Sequence, residues 1–300
     1  MALRGPDFVT PTRTGYAIGI GAQKCASSWL HDVLATHPQI AAAPAKEVDF
    51  FSHRFDRGYR WYARQFPASG GLRFECSPSY LCDPRSPGRV AAFAPEARIV
   101  AVLRDPVERA YSNHLHEIAR GHVPPVPFAE GLSNNPGYID RGHYAVHLAR
   151  WYAAFPAGRI LCLFAEDIAR APQRAARRVY RHLGIAEDHA TGLIGERRNV
   201  SDRARSPILR SALRAGGGAM RGAGLGEALA HAKRLPPVSR LLALNSVDLR
   251  RLVPPLSPRE RADLWDVFRP GLDDLRRLVG VAELPWVIPA AAPRELQPAE

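Results

Sequence analysis

Three short apolar runs, each leading into a turn and then a helical pattern, decide what this chain can fold into. Tyr16-Ala-Ile-Gly-Ile20 ends at Gly21 and precedes Ser27–Thr36, where Trp29, Leu30, Val33 and Leu34 recur at helical spacing. Ile99-Val-Ala-Val-Leu103 precedes Asp105-Pro106, a helix start because proline suits the first helical turn; that helix runs toward Arg120. Ile160-Leu-Cys-Leu-Phe164 precedes a helix from Pro172 to Leu183, stopped by Gly184. Strands that are apolar throughout are covered on both faces, and their alternation with helices makes a parallel sheet. The pattern predicts an α/β fold: a P-loop-like central parallel sheet flanked by helices on both faces. Phe74-Glu-Cys76 reads as a fourth, shorter strand, His143–Phe155 as an amphipathic helix and Ser257–Val279 as one closing helix. Ser27 or Ser28 is expected to cap the first helix.

In such sheets ligands bind outside the carboxyl ends of the strands. Two loops lie there. The first is Gly21-Ala-Gln-Lys24-Cys25-Ala26-Ser27-Ser28. Its backbone N–H groups and the positive end of the following helix form an anion site, to which Lys24 adds a charge and the serines add hydroxyls. It is not a Walker A loop, which needs GxxxxGK[ST]; Lys24 stands three residues before Ser27. A kinase-like phosphotransferase is therefore the weaker alternative. The second loop is Leu103-Arg104-Asp-Pro-Val-Glu-Arg-Ala-Tyr-Ser112. Arg104 sits at the strand tip and Ser112 about two helical turns on, so both can reach one phosphate. A third segment, Lys46-Glu47-Val-Asp49-Phe50-Phe51, puts two carboxylates before an aromatic pair. Core anchoring of the phenylalanines would fix Glu47, a candidate general base.

Taken together, Gly-x-x-Lys-x-x-Ser-Ser, Lys-Glu-x-x-Phe-Phe and Arg-Asp-Pro-x-x-Arg-Ala-x-Ser resemble the PAPS-dependent sulfotransferases, nearest to the heparan sulfate sulfotransferase type and its bacterial relatives. Gly142-His-Tyr144 with Trp151 and Phe155, Ile160–Asp167, His182-Leu-Gly184 and Leu275–Trp286 extend the likeness. The resemblance implies a sulfotransferase domain over 14–286 that uses 3'-phosphoadenylyl sulfate (PAPS) and releases adenosine 3',5'-bisphosphate (PAP), without a metal. It implies that Lys24, Cys25, Ala26, Ser27, Ser28 and Trp29 hold the 5'-phosphosulfate. Arg104 and Ser112 would hold the 3'-phosphate, and Glu47 would be the catalytic base. It also implies a late basic loop over the cofactor, for which Arg197, Arg198 and Arg203 are the candidates and Arg250-Arg251 the reserve. This sequence departs from the family at Cys25-Ala26-Ser27-Ser28, where glycine and threonine are usual, and at Asp49, where some relatives have histidine.

The bulk numbers agree with a large soluble-type domain. The chain has 300 residues, 46% of them hydrophobic, and no apolar run long enough for a membrane span. Met1–Gly15 has no secretory apolar core, so a cytoplasmic protein is expected. Cys25, Cys76, Cys82 and Cys162 form no CxxC pair or zinc cluster and are expected as reduced thiols, although Cys76 and Cys82 could pair on oxidation. The pairs His114/His116 and His143/His147 lack the company of a zinc centre and read as packing or surface groups. A net charge of +12 suits a polyanionic partner. Nucleic acid is the less favoured one, because no basic stripe interleaved with aromatics is present. The acceptor is expected to be a small molecule, glycan or lipid hydroxyl or amine. Gly216–Gly226 reads as a mobile excursion, part of a substrate lid, and 287–300 as a disordered tail.

Overall fold

A computed structural model describes residues 15–68, 70–195, 202–204, 246–249 and 252–290. Five strands form one wholly parallel sheet: β1 (Tyr16–Gly21), β2 (Ile40–Ala42), β3 (Leu72–Cys76), β4 (Arg98–Leu103) and β5 (Ile160–Phe164). Their order is β2-β3-β1-β4-β5. The central strand β1 is buried along all six residues, and β4 along all but its first. Residues alternate between sheet faces, so burial of every side chain means that helices cover both.

The helices follow the strands. Helix α1 (Ser27–Ala35) leaves β1 and packs on β1, β2 and β3; α2 (Phe50–His53) and α3 (Gly58–Ala63) come between β2 and β3 in the chain, and α4 (Ser86–Phe93), between β3 and β4, packs on α2. Helix α5 (Pro106–Arg120) leaves β4; α6 (Phe128–Asn134), α7 (Gly137–Asp140) and α8 (Tyr144–Ala154) lead to β5. Helix α9 (Ala165–Arg170) precedes α10 (Pro172–Leu183), which packs on β4 and β5. The sheet, both of its covering layers and the closing helices belong to one unit, Met1–Ala110, Pro136–Asn199 and Ser257–Glu300; a second comprises Tyr111–Asn135 and Val200–Leu256. In that second unit a short antiparallel pair, β6 (Asp202–Ala204) with β7 (Ser246–Asp248), is described, and the Tyr111 hydroxyl donates to the carbonyls of Val253 and Pro254 at 3.2 Å each.

Two sequence expectations need correction. The closing segment is not one helix: α11 (Pro258–Phe268) ends in a 3-10 turn, Arg269–Gly271, and α12 (Leu272–Val279) follows. Pro270 lacks the N–H and its ring clashes with the carbonyl four residues back, so an unbroken α-helix cannot pass through it. The start of α11 is a full capping box, with Ser257 accepting from the Glu260 N–H at 3.2 Å and Glu260 accepting from the Ser257 N–H at 2.8 Å. Neither Ser27 nor Ser28 caps α1. The cap position is Ala26, with φ 57°, and no side chain caps it, because that left-handed residue already turns the chain so that Ser27 is helical.

Candidate functional site

The loop after β1 is bent by two left-handed residues, Lys24 at φ 68° and Ala26 at φ 57°. Left-handed residues alternating with ordinary ones turn successive backbone N–H groups toward one concave side, the geometry of an anion nest. Lys24 and Ser28 are half-buried and Ser27 is buried. Cys25 and Trp29 contribute side chains to the interior instead. The Trp29 indole donates to the Ile194 carbonyl at 3.0 Å, so only its main chain can face a ligand. Burial pushes the Cys25 thiol up to about 12, against the lowering influence of Arg109, the Tyr144 hydroxyl and Arg104. It is a neutral packed group, not a nucleophile.

The loop after β4 is its immediate neighbour, since β1 and β4 are paired in the sheet and the Ala22 N–H donates to the Val102 carbonyl at 2.7 Å. Arg104, half-buried at the strand tip, pairs with Glu108 one helical turn on (3.3 Å), and Glu108 also takes Arg261 at 2.5 Å. Asp105 caps α5 by accepting the N–H groups of Val107 at 2.8 Å and Glu108 at 3.0 Å. Burial, foremost, raises its carboxyl to about 6. A buried tyrosine joins the two loops: the Tyr144 hydroxyl donates to the Arg104 carbonyl at 2.9 Å and lies 3.8 Å from the Cys25 sulfur. Ser112 is buried on α5 and falls in the second unit.

The third segment lies along the end of β3. Phe50 and Phe51 are fully buried and pack against Tyr62 at 4.7 and 4.9 Å between ring centres. Glu47 and Asp49 are both left-handed, φ 64° and 53°. The Glu47 N–H donates to the Cys76 carbonyl at 3.2 Å, and its carboxylate, 44% exposed, pairs with Lys46 at 2.8 Å. The Asp49 carboxylate accepts from Ser79 at 2.6 Å. A cavity of about 410 Å³ opens on this segment, lined among others by Gln23, Glu47, Asp49, Ser79, Asp83 and Arg141. Gln23 is the neighbour of Lys24, so the lysine loop and the Glu47 segment meet at one cavity. Arg141 donates to the Gln23 side-chain oxygen and ties the far wall to the lysine loop.

Of the residues singled out in the sequence, Glu47 and Asp49 line this cavity; Gln23, Ser79, Asp83 and Arg141, which also line it, were not singled out. Ser79 had a signal, the position three residues past the end of β3 at the same sheet edge; Arg141 had none. Arg197, Arg198, Arg250, Arg251 and the Gly216–Gly226 stretch lie outside the described residues, as does 291–300, and of Arg203 only the backbone of β6 is described. His114 and His147 each bond a backbone carbonyl, of Val126 at 2.9 Å and of Asp140 at 2.8 Å. His143 sits at the cap of α8, not within it. Among the described residues no cluster of His, Cys, Asp and Glu could hold a metal, and no helix is long and apolar enough to cross a membrane.

Comparison with known proteins bears on these loops. The family described as the sulfotransferase domain matches residues 17–194, a span that contains all three segments. Over 181 residues the chain is 32% identical to heparan sulfate glucosamine 3-O-sulfotransferase 3B1 of Mus musculus, covering 56% of this chain and 46% of that protein. Over 191 residues it is 30% identical to the bifunctional heparan sulfate N-deacetylase/N-sulfotransferase 1 of Mus musculus, covering 55% and 21%. The chain thus matches less than half the length of either relative. In fold it is similar to the sulfotransferase from Alicyclobacillus acidocaldarius, with a TM-score of 0.66 and 21% identity over 91% of this chain and 98% of that one. It is also similar to mouse sulfotransferase SULT7A1 complexed with PAP, with a TM-score of 0.51 and 14% identity over 89% and 87%.

Proposed function

The chain belongs to the sulfotransferase domain family, and from that premise we propose that it moves a sulfuryl group from PAPS to a hydroxyl or amine of a glycan, lipid or natural-product acceptor, with Glu47 as general base. The observation that supports this most is the cavity on which Gln23 of the lysine loop and Glu47 both open. The domain responsible is taken as residues 14–286.

The loop from Lys24 to Trp29 fits a phosphosulfate: its left-handed residues turn N–H donors inward, and Lys24 adds a positive charge to the same loop. Arg104 and Ser112 are assigned to the 3'-phosphate, and Arg197 and Arg198 to closure over the nucleotide. Glu47 accepts the proton of the acceptor as its oxygen or nitrogen attacks sulfur in line. The bond from sulfur to the bridging phosphate oxygen breaks, PAP leaves, and Lys24 steadies the charge growing on that oxygen. Sulfuryl transfer develops less anionic charge than phosphoryl transfer, so the scheme needs no metal. Glu47 is open enough to meet an acceptor, and its ion pair with Lys46 holds the carboxylate in one direction. All four cysteines are free thiols, which supports the reading of a reducing, cytoplasmic setting.

The test is an acceptor panel incubated with labelled PAPS and analysed by mass spectrometry, together with Glu47→Gln. That variant is expected to fold, to bind PAP with unchanged affinity by calorimetry, and to lose about 10²–10⁴-fold in kcat. Normal turnover by Glu47→Gln refutes the base assignment; no PAP binding by the unaltered protein refutes the donor.

A further inference from the structure

A buried carboxylate stands behind the Glu47 segment, and the scheme above gives it no part. Glu75 lies on β3 and is 1% exposed. Three hydroxyls surround it. Ser77 donates to one carboxylate oxygen at 2.7 Å, Tyr62 to the other at 3.4 Å, and Tyr80 is the third side-chain partner. An ionised carboxylate only accepts hydrogen bonds, so each hydroxyl turns its proton inward and its lone pairs outward. Two backbone amides use those lone pairs. The Asp49 N–H donates to the Ser77 hydroxyl at 2.9 Å, and the Phe51 N–H to the Tyr80 hydroxyl at 3.3 Å. Both amides belong to the segment that carries Glu47, where Glu47 and Asp49 hold a left-handed backbone that non-glycine residues adopt only when their surroundings impose it.

We propose that Glu75 is a positioning residue for the transfer reaction: an acceptor-only hub that orients Ser77 and Tyr80 so that they hold the Asp49 and Phe51 amides, and with them the Glu47 carboxylate, in place. It rests on the reading of Glu47 as base, and it acts through the segment without touching substrate. A glutamine at this position has the same size but brings an NH₂ donor. One hydroxyl must then reverse to accept from it, and the amide which that hydroxyl held is released.

Protonation of Glu75 has the same effect, because it too adds a donor. Burial, foremost, brings the carboxyl up to about 7; the Ser77, Tyr80 and Tyr62 hydrogen bonds oppose the rise and the Asp49 charge adds to it. The titratable groups facing it are Tyr62 from α3, with Tyr16 of β1 stacked on Tyr62, Tyr80 beyond the end of β3, Asp49 from the loop, and Cys76, its neighbour on β3. The hub is therefore complete above pH 7 and loses its grip below.

Amide hydrogen exchange on the full chain tests this without an identified acceptor, read at Asp49 and Phe51. In the unaltered protein the protection factor of at least one of the two amides is expected to fall about tenfold between pH 8 and pH 6. In Glu75→Gln that amide is expected to have low protection at both pH values, with PAP affinity within twofold and PAP release from PAPS, with heparan sulfate or water as acceptor probe, at least tenfold slower. Unchanged protection in Glu75→Gln overturns the proposal, as does deprotection with no change in PAP release. Should Glu75→Gln fail to fold, Ser77→Ala must deprotect Asp49 alone and Tyr80→Phe must deprotect Phe51 alone; if either leaves its amide protected, the hub does not exist. Normal turnover by Glu47→Gln, with Glu75→Gln still deprotecting an amide of the segment and slowing PAP release, sinks the base assignment and not the hub.

Discussion

Tyr144 does with one hydroxyl what neither the loop after β1 nor the loop after β4 can do alone. Its proton goes to the Arg104 carbonyl at 2.9 Å, and its oxygen meets the Cys25 thiol at 3.8 Å, so the backbone at the β4 tip and the lysine loop are set against each other. Burial holds the phenol far above its ordinary range, so it stays a donor at every working pH. Tyr144→Phe removes that donor and leaves a carbonyl unsatisfied, at a cost of about 1–3 kcal/mol in stability. Because the Arg104 main chain aims its guanidinium, PAP affinity should fall about three- to tenfold by calorimetry. An unchanged PAP affinity with lowered stability would reduce Tyr144 to a packing residue. The loops themselves were legible, because Lys24, Glu47 and Arg104 lie in compact motifs whose chemistry is local. What joins them was not. Gln23 and Arg141 stand over a hundred residues apart, and Glu75 sits in a short strand where alternation makes a glutamate read as a solvent-facing group. Hydroxyl partners brought in by other elements leave no mark in a linear pattern.

At the scale of elements, the long apolar strands declared themselves and the short ones did not. β2 is a three-residue piece, too short for any periodicity to show. The break between α11 and α12 was hidden because Leu264, Trp265, Phe268, Leu272 and Leu275 keep a helical rhythm across it, all of them buried. Glycine has one decisive place, where β1 meets β3. A Cβ on Gly19 would lie 2.6 Å from the Cys76 sulfur and 3.3 Å from the Cys76 Cα, whose backbone is locked in the sheet. The thiol cannot simply swing away, since Cys76 is itself buried. Gly19→Ala should therefore cost about 1–3 kcal/mol by urea denaturation, as overpacking of a filled core does. It should also disturb the end of β3, from which Ser77 and Ser79 reach the Asp49 segment. Gly19→Ala paired with Cys76→Ala should recover most of the loss, because the new methyl then takes the volume of the sulfur; failure to recover would place the strain in the backbone.

For the whole molecule, pH acts on stability through two opposed sets of buried groups. Burial raises the carboxyls of Glu75 from 4.5 to about 7 and of Asp105 from 3.8 to about 6. Between the unfolded and folded values the native state holds more protons than the unfolded chain, so these two favour folding at acid pH and lose that contribution as pH rises through the window. Burial lowers His114, His147 and His182, which has the opposite sign: the unfolded chain takes up protons that the native state refuses, and stability falls as pH drops through 6.5. The two sets oppose each other just below pH 6.5, so stability there should change less with pH than either set alone would make it. Asp105→Asn separates them, because asparagine can still cap α5 but cannot ionise. A rise from 3.8 to about 6 corresponds to about 3 kcal/mol, which the carboxylate costs the fold above pH 6 and the amide does not. At pH 4 and below the two proteins should unfold at nearly the same urea concentration. Above pH 6 Asp105→Asn should gain on the unaltered protein by up to about 3 kcal/mol, reduced by whatever its neutral cap bonds give up. A difference that shrinks as pH rises would mean that Asp105 is stabilised as an anion by the helix it caps, with the helix end outweighing burial.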